Sequence, residues 1–401
     1  MIKEGRDNLD PNKYRKDFPL LDKVTYFDNA CMTLKPYQVI NAVNEYYEEY
    51  PVCGGSRSQH KLSNILSRKI REGREAIADL IGADDKEQIV FTKNTTEAVN
   101  LVAKGLGLSK GDTVLTTDKE HNSNTVPWIS LRDDRGIEFD QVRTSEDGTI
   151  DIEHFKEMMD QDVELVSMVH TSNLDGTTIP AKEIGEIVHD YEALLMLDGA
   201  QSVPHKPMDV NELDVDLLAF SVHKMLGPTG VGILYGKEEV LERLDPLVAG
   251  GGSVKDSTYD TVTLKDSPEK FEGGLQNYSA LCGIKPAVDY LQDVGLKDIE
   301  KHEIKLNRIA TDLLSDKVQV IGPKDPGKRS GIFNFRVEIL GCHEITILLE
   351  EKEILTRGGM HCVHPWHRTR NELGGTRASF YFYNTEEEVK RFAKVFEELL
   401  G

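Results

Sequence analysis

Two charged side chains, each placed where an apolar run ends, carry the first chemical signal. Leu194-Leu195-Met196-Leu197 runs straight into Asp198, and the apolar run ending at Phe220 continues through Ser221-Val222-His223 to Lys224. A carboxylate that follows four apolar residues is poorly solvated unless something cationic faces it. A lysine withdrawn from water loses proton affinity and becomes a usable amine nucleophile for a carbonyl carbon. A structural ion pair would account for any isolated Asp and Lys. Here the lysine also stands beside the glycine-rich turn Gly227-Pro228-Thr229-Gly230-Val231-Gly232. A carboxylate facing a pyridine nitrogen keeps the ring protonated and able to accept electrons. At about 4 Å and an effective dielectric of about 20 that pairing gives about 4 kcal/mol, roughly three pK units.

A lysine Schiff base with an Asp behind the ring is the recurring arrangement of pyridoxal-phosphate (PLP) enzymes, and such a cofactor needs a phosphate cradle. One precedes the pair. After the apolar run Gln88–Thr92 comes Lys93-Asn94-Thr95-Thr96-Glu97, with the spacing of a capping box. Thr95-Thr96 reads as plain helix capping or as a helix N-terminus whose N–H groups and hydroxyls take a phosphate dianion. Taken together, Asp198-Gly199-Ala200-Gln201, Ser221-Val222-His223-Lys224 and the glycine turn resemble the class V aminotransferase family of fold-type I PLP enzymes. The resemblance implies that Lys224 holds the cofactor, Asp198 faces its ring nitrogen, and Thr95, Thr96, Ser221 and His223 bind its phosphate. It also implies that His121, in Glu120-His121-Asn122, stacks on the ring and moves protons, with Asn173 near the ring hydroxyl and Gln201 at a further cofactor contact. Two positions depart from the family pattern. Val222 replaces a small residue and would crowd the lysine linkage. Leu275 replaces a Thr that reaches the partner subunit's phosphate, which leaves Gln276 or Asn277 to take its place.

The reaction is decided further along, in Arg357-Gly358-Gly359-Met360-His361-Cys362-Val363-His364 and the following Thr376-Arg377-Ala378-Ser379. A free cysteine is most often a small buried hydrophobe. That reading covers Cys53, Cys282, Cys342 and, for the most part, Cys31, although Cys31 follows Asp28-Asn29-Ala30 near where family substrates bind. Cys362 differs, because it sits among His361, His364 and Arg357 in a polar loop bracketed by glycines. One close cation, worth about 2 kcal/mol, would lower a thiol by about 1.5 units and make it about half thiolate at neutral pH. The loop resembles that of the group II cysteine desulfurases and selenocysteine lyases. This implies L-cysteine as substrate, Arg377 as the fork for its carboxylate, and Arg357, Asn173, Ala30 and His361 as further substrate contacts. The products would be L-alanine and a persulfide on Cys362, passed on to a sulfur-acceptor protein and to iron–sulfur cluster assembly, and the enzyme would be a homodimer. L-selenocysteine lyase, cysteine-sulfinate desulfinase and another aminotransferase or epimerase of the family are the alternatives. A non-catalytic partner-binding protein on this fold is disfavoured by Lys224, Asp198 and Cys362. A dinucleotide oxidoreductase is disfavoured because the glycines lack the strand-GxGxxG-helix order.

Such residues need rigid strands behind them. Gln88–Thr92, Asp112–Thr117, Leu165–Thr171, Leu194–Asp198, Asp216–Phe220 and Val231–Tyr235 read as nearly unbroken apolar strands of a mostly parallel sheet. Helical stretches such as Thr96–Lys104 and Ala181–Tyr191 separate them, as right-handed βαβ crossovers require. Beyond Lys285 a long helical pattern runs to Leu314. Strands Gly331–Val337 and Arg377–Tyr383 and an amphipathic helix Glu386–Leu399 follow, giving a strand-poor tail. The expected class is α/β, a fold-type I transferase with a large sheet domain over residues 23–289. A smaller α+β domain would be built from 1–22 and 290–401 and carry the cysteine loop.

Composition sets outer limits. The formal charge is −21, from 48 basic and 69 acidic residues, and no dense basic stripe appears, which argues against a nucleic-acid ligand. Met1–Asp7 has no apolar core like that of a signal peptide, and no run is long enough for a membrane span. Five cysteines without a CxxC pair point to a reducing cytoplasm, with no disulfide framework and no metal site.

Overall fold

The computed structural model describes residues 9–54, 58, 60–145 and 147–400. The expectation for Met1–Asp7, and the first eight residues of the 1–22 segment, lie outside the described residues.

The apolar runs become β1 (Ile89–Thr92), β2 (Thr113–Thr117), β3 (Glu138–Val142), β4 (Val163–Val169), β5 (Leu194–Asp198), β6 (Leu217–Ser221) and β7 (Gly232–Gly236). They form one sheet in the order β1-β7-β6-β5-β4-β2-β3. The pairs β2–β3, β2–β4, β4–β5 and β5–β6 are parallel. β7 runs antiparallel to both β6 and β1. The stretch from Val222 to Val231 is too short to carry the dozen or more residues of a parallel crossover, so the chain must return as a hairpin. Every residue of β6 and β7 is buried.

Several boundaries shift by a residue or two from the sequence expectation, and β3 was not anticipated. Its Glu-Phe-Asp-Gln-Val buries only Phe139 and Val142, as befits an edge strand with one partner. The helical pattern from Lys285 to Leu314 is two helices, Ile284–Val294 and Leu296–Leu314, broken at Gly295 with φ 96°.

The tail is less strand-poor than its sequence suggests. β8 (Gln319–Val320), β9 (Ile332–Arg336), β10 (Arg357–Gly359) and β11 (Gly375–Ser379) form an antiparallel sheet in the order β8-β9-β11-β10. β11 ends at Ser379, short of the expected Tyr383; Phe380–Tyr383 remain buried beyond it. The last helix, Glu386–Leu400, buries Val389, Phe392, Ala393 and Phe396, one stripe at helical spacing. That stripe packs with Phe333, Phe335 and Leu306 in a core of its own. Among the described residues no helix is long and apolar enough to cross a membrane.

The parallel strands all deliver their carboxyl ends to one edge, where ligands bind in such sheets. β5 ends at Asp198, β6 at Ser221, β2 at Thr117 just before Glu120-His121, and β1 at Thr92 before the helix Thr95–Gly105. Asn94 caps that helix, its side chain accepting from the Glu97 N–H at 2.9 Å.

Candidate active site

A cavity of about 290 Å³ opens at this edge, and every residue expected to bind cofactor or substrate or to act in catalysis lines it. At one end, Ser221 Oγ accepts the Thr95 N–H at 2.9 Å and shares a 2.6 Å hydrogen bond with Thr95 Oγ1. Thr96 Oγ1 pairs at 2.6 Å with Ser123 Oγ, a neighbour the sequence reading did not identify. Hydroxyls thus gather at a helix N-terminus, a donor set suited to a phosphate. Gly232 makes the approach possible, since a Cβ there would lie 2.4 Å from Asn94 Cα. His223 is held at about 4 by burial, with Lys224 and Lys35 adding to the effect.

At the middle of the pocket Asp198 is 3% exposed, and among the described residues its carboxylate accepts one hydrogen bond, from the Ala200 N–H at 2.9 Å. Burial raises its pKa, and Lys224 opposes that rise. Burial also lowers the Lys224 pKa, against the pull of Asp198. Lys224 forms no hydrogen bond or ion pair among the described residues, so the two do not make the strand-end salt bridge an isolated Asp and Lys would suggest. His121 Nδ1 accepts the Ser123 N–H at 3.1 Å. Burial first, then the Lys224 cation, holds His121 at about 3, so the ring is neutral and can stack. Gln201 Nε2 donates to the Ala30 carbonyl at 2.6 Å, tying β5 to the opposite wall.

The smaller sheet supplies the mouth. Arg377, 2% exposed, donates through Nη1 to the Asn173 carbonyl at 2.9 Å and leaves Nε without a partner. Asn173 Nδ2 in turn donates to the His361 carbonyl at 2.7 Å. Cys362 is exposed and, like His361, left-handed, with φ values of 60° and 50°. Each such residue costs on the order of 1–3 kcal/mol and needs its surroundings to hold it. Asn122 does so, donating its N–H to the Cys362 carbonyl at 2.7 Å and pairing its side chain with His364 at 2.9 Å.

The cations expected around Cys362 are placed differently from the sequence reading. Arg357 is committed to Asp28 through two short contacts, Nε at 3.0 Å and Nη2 at 2.7 Å. His361 is neutral, because burial holds it well below the ordinary range. The charges within reach of Cys362 are Lys224 and Arg377. The segment is also more structured than a bare loop, with β10 before the cysteine and a short helix, His364–Thr369, after it.

Asp28 was missed, as was the placement of Cys31, which lines the cavity instead of filling a core. Cys282 alone among the other cysteines is buried as expected; Cys53 is exposed and Cys342 half-buried. Val222 packs away from solvent. It is fully buried against Gly227, where an added Cβ would lie 2.1 Å from Val222 Cγ1. Leu275 is 75% exposed, while Gln276 turns back onto the Glu272 carbonyl at 2.9 Å and Asn277 caps the helix Tyr278–Cys282. A larger cavity of about 660 Å³ opens beside Leu275, but its buried charges, Arg74 and Glu272, are paired with each other at 2.8 Å.

Comparison with known proteins agrees with this geometry. The family model described as aminotransferase class-V matches residues 25–392. The cysteine desulfurase of Haloferax volcanii is 38% identical, the match covering 96% of this chain and 95% of that protein. The apo cysteine desulfurase of Thermococcus onnurineus NA1 superposes with a TM-score of 0.95 at 37% identity, covering 99% of both chains. The Escherichia coli cysteine desulfurase CsdA, in an S-sulfonic acid form, superposes with a TM-score of 0.91 at 30% identity, covering 98% of this chain and 99% of that one.

Proposed function

We infer, because this chain belongs to the aminotransferase class-V family, that its pocket binds pyridoxal 5′-phosphate and works on L-cysteine. The activity is that of a cysteine desulfurase. The observation that carries the reading is one exposed thiol, Cys362, at the mouth of a pocket floored by Lys224 and Asp198.

The donor set fits the cofactor: hydroxyls at a helix N-terminus, a buried carboxylate with one hydrogen bond, and an unpaired lysine amine. When bound, pyridoxal phosphate supplies an aldehyde for a lysine amine and a ring that accepts electrons from the substrate Cα. Thr95, Thr96, Ser221 and His223 would hold the phosphate, Asp198 the ring nitrogen, and Asn173 and Gln201 would flank the ring. Neutral His121 would pack flat on the ring. Arg377 offers its fork to the substrate carboxylate, with Ala30 and His361 bounding the same end and Arg357 acting through Asp28. Lys224, its proton affinity lowered by burial, takes the proton from the substrate Cα. The Cys362 thiolate attacks the substrate sulfur, the C–S bond breaks, and the substrate carbon is protonated. L-cysteine and the thiol become L-alanine and a persulfide on Cys362, with atoms and electrons balanced.

A homodimer, a sulfur-accepting protein that serves iron–sulfur cluster assembly, and a reducing cytoplasm belong to the same reading. The exposure of Cys362 and five free thiols support the last two. Of the division into residues 23–289 and 1–22 with 290–401, the separate apolar core of the smaller sheet supports the 290–401 part, whereas Tyr14, Phe18 and Leu21 pack into the core of the large sheet.

Cys362→Ala tests the reading. The cofactor-loaded variant is expected to bind L-cysteine yet release alanine and sulfide at least about 100-fold more slowly, a loss of about 2.7 kcal/mol in transition-state stabilisation. Alanine release at the wild-type rate would remove Cys362 as nucleophile and favour another lyase or an aminotransferase. L-selenocysteine, assayed in parallel, ranks the two substrates.

A further inference from the structure

We propose that Cys31 is a second sulfur-carrying thiol of this pocket, taking the sulfane sulfur from Cys362 before it leaves the protein. The proposal rests on the desulfurase reading and extends it by one step. Cys31 and Cys362 line one cavity of about 290 Å³, and the other three cysteines do not. Both thiols lie within electrostatic reach of Lys224 and Arg377, and Cys31 also of Lys35 and Arg357. The thiolate is the form that attacks sulfur. The same walls hold buried polar atoms with no partner among the described residues, the donor Arg377 Nε and the acceptor His361 Nδ1, so a ligand is meant to occupy the space the two thiols share.

The wall that carries Cys31 is fixed. The Ala30 N–H donates to Ser379 Oγ at 2.9 Å, the Ala30 carbonyl accepts from Gln201, and the Cys31 N–H donates to the Asp28 carbonyl at 3.1 Å. Cys31 itself is half-buried and open to the cavity.

The step is a thiol exchange. The Cys31 thiolate attacks the outer sulfur of the Cys362 persulfide. The sulfur–sulfur bond to Cys362 breaks as a new one forms to Cys31, and Cys362 departs as thiolate while the proton stays on the transferred sulfur. No oxidant or reductant is needed. Cys362 is then ready for another L-cysteine, so the loaded chain carries sulfur on both residues.

The test uses the cofactor-loaded full chain, incubated with L-cysteine without reductant and alkylated before unfolding. Sulfur is located by fragment-ion mass spectrometry able to separate Cys31 from Cys53. Added sulfur is expected on Cys31 and Cys362 in the wild type, on Cys362 alone in Cys31→Ser and Cys31→Ala, and on neither in Cys362→Ala. Wild-type sulfur confined to Cys362 would overturn the proposal, and so would sulfur on Cys31 in Cys362→Ala or equal labelling of Cys53 and Cys282. Sulfur on no cysteine would instead overturn the desulfurase reading beneath it.

Discussion

At the scale of the residue, Lys224, Asp198 and Arg377 each keep hydrogen-bonding capacity facing the pocket, while Arg357 is held by Asp28. Among the described residues the Lys224 amine has no hydrogen-bonding neighbour, the Asp198 carboxylate has one, and Arg377 keeps Nε unpaired in a buried position. If Lys224 is the amine that holds the cofactor, borohydride treatment of the yellow holoenzyme should fix it irreversibly to the peptide containing Lys224. Label on any other lysine would sink that assignment. Arg377→Lys keeps the charge and loses the planar fork, so the apparent KM for L-cysteine should rise about tenfold or more while cofactor absorbance is retained. An unchanged KM would remove Arg377 from carboxylate binding. Lys224 and Asp198 were legible in the sequence because each ends an apolar run, a pattern that local burial explains. Asp28 was not. Its partner Arg357 lies 329 residues away, and nothing near Asp28 in the chain announces the pairing. The neutrality of His361 was hidden for a related reason, since burial comes from residues distant in sequence.

At the scale of the element, one close approach sets the phosphate end. Gly232 begins β7 where its backbone lies against Asn94, the cap of the helix Thr95–Gly105. Gly232→Ala would push that cap away, because a Cβ at 2.4 Å from backbone atoms cannot be relieved by a side-chain rotation. We expect about 1–3 kcal/mol lower stability in urea unfolding, together with faster loss of cofactor on dialysis. Wild-type retention would show that the helix N-terminus tolerates displacement. The apolar strands were readable because burial on both faces leaves unbroken runs. The direction of β7 was not readable from its own residues, which look like those of its parallel neighbours; only the short return from Val222 to Val231 decides it. β3 escaped notice because an edge strand shows fewer apolar residues.

At the scale of the whole molecule, buried histidines link fold and acidity. Burial holds His121 and His170 at about 3 and His223 at about 4, against an ordinary 6.5. The unfolded chain takes up protons at these rings below pH 6.5 while the folded chain does not. Their contribution is therefore complete above pH 6.5 and is lost as pH falls towards 3. Glu120 works in the opposite sense, because burial raises it from 4.5 to about 7 and lets the folded chain hold a proton that the unfolded chain has released. Asp198 is raised for the same reason. Three histidines outweigh these carboxyls, so the urea midpoint of the cofactor-free chain should fall between pH 6.5 and 5, and more steeply below 4.5, where Glu120 no longer opposes. A midpoint that rises over that range would contradict the neutral burial of these rings. The pocket itself joins two separate stretches of chain: Thr95, Asp198 and Lys224 on the large sheet, and Arg357, Cys362 and Arg377 on and beside the small one. The side chains that would grip a cofactor and those that would receive its substrate thus stand on different supports, and the space between them is shaped by how the two sheets meet.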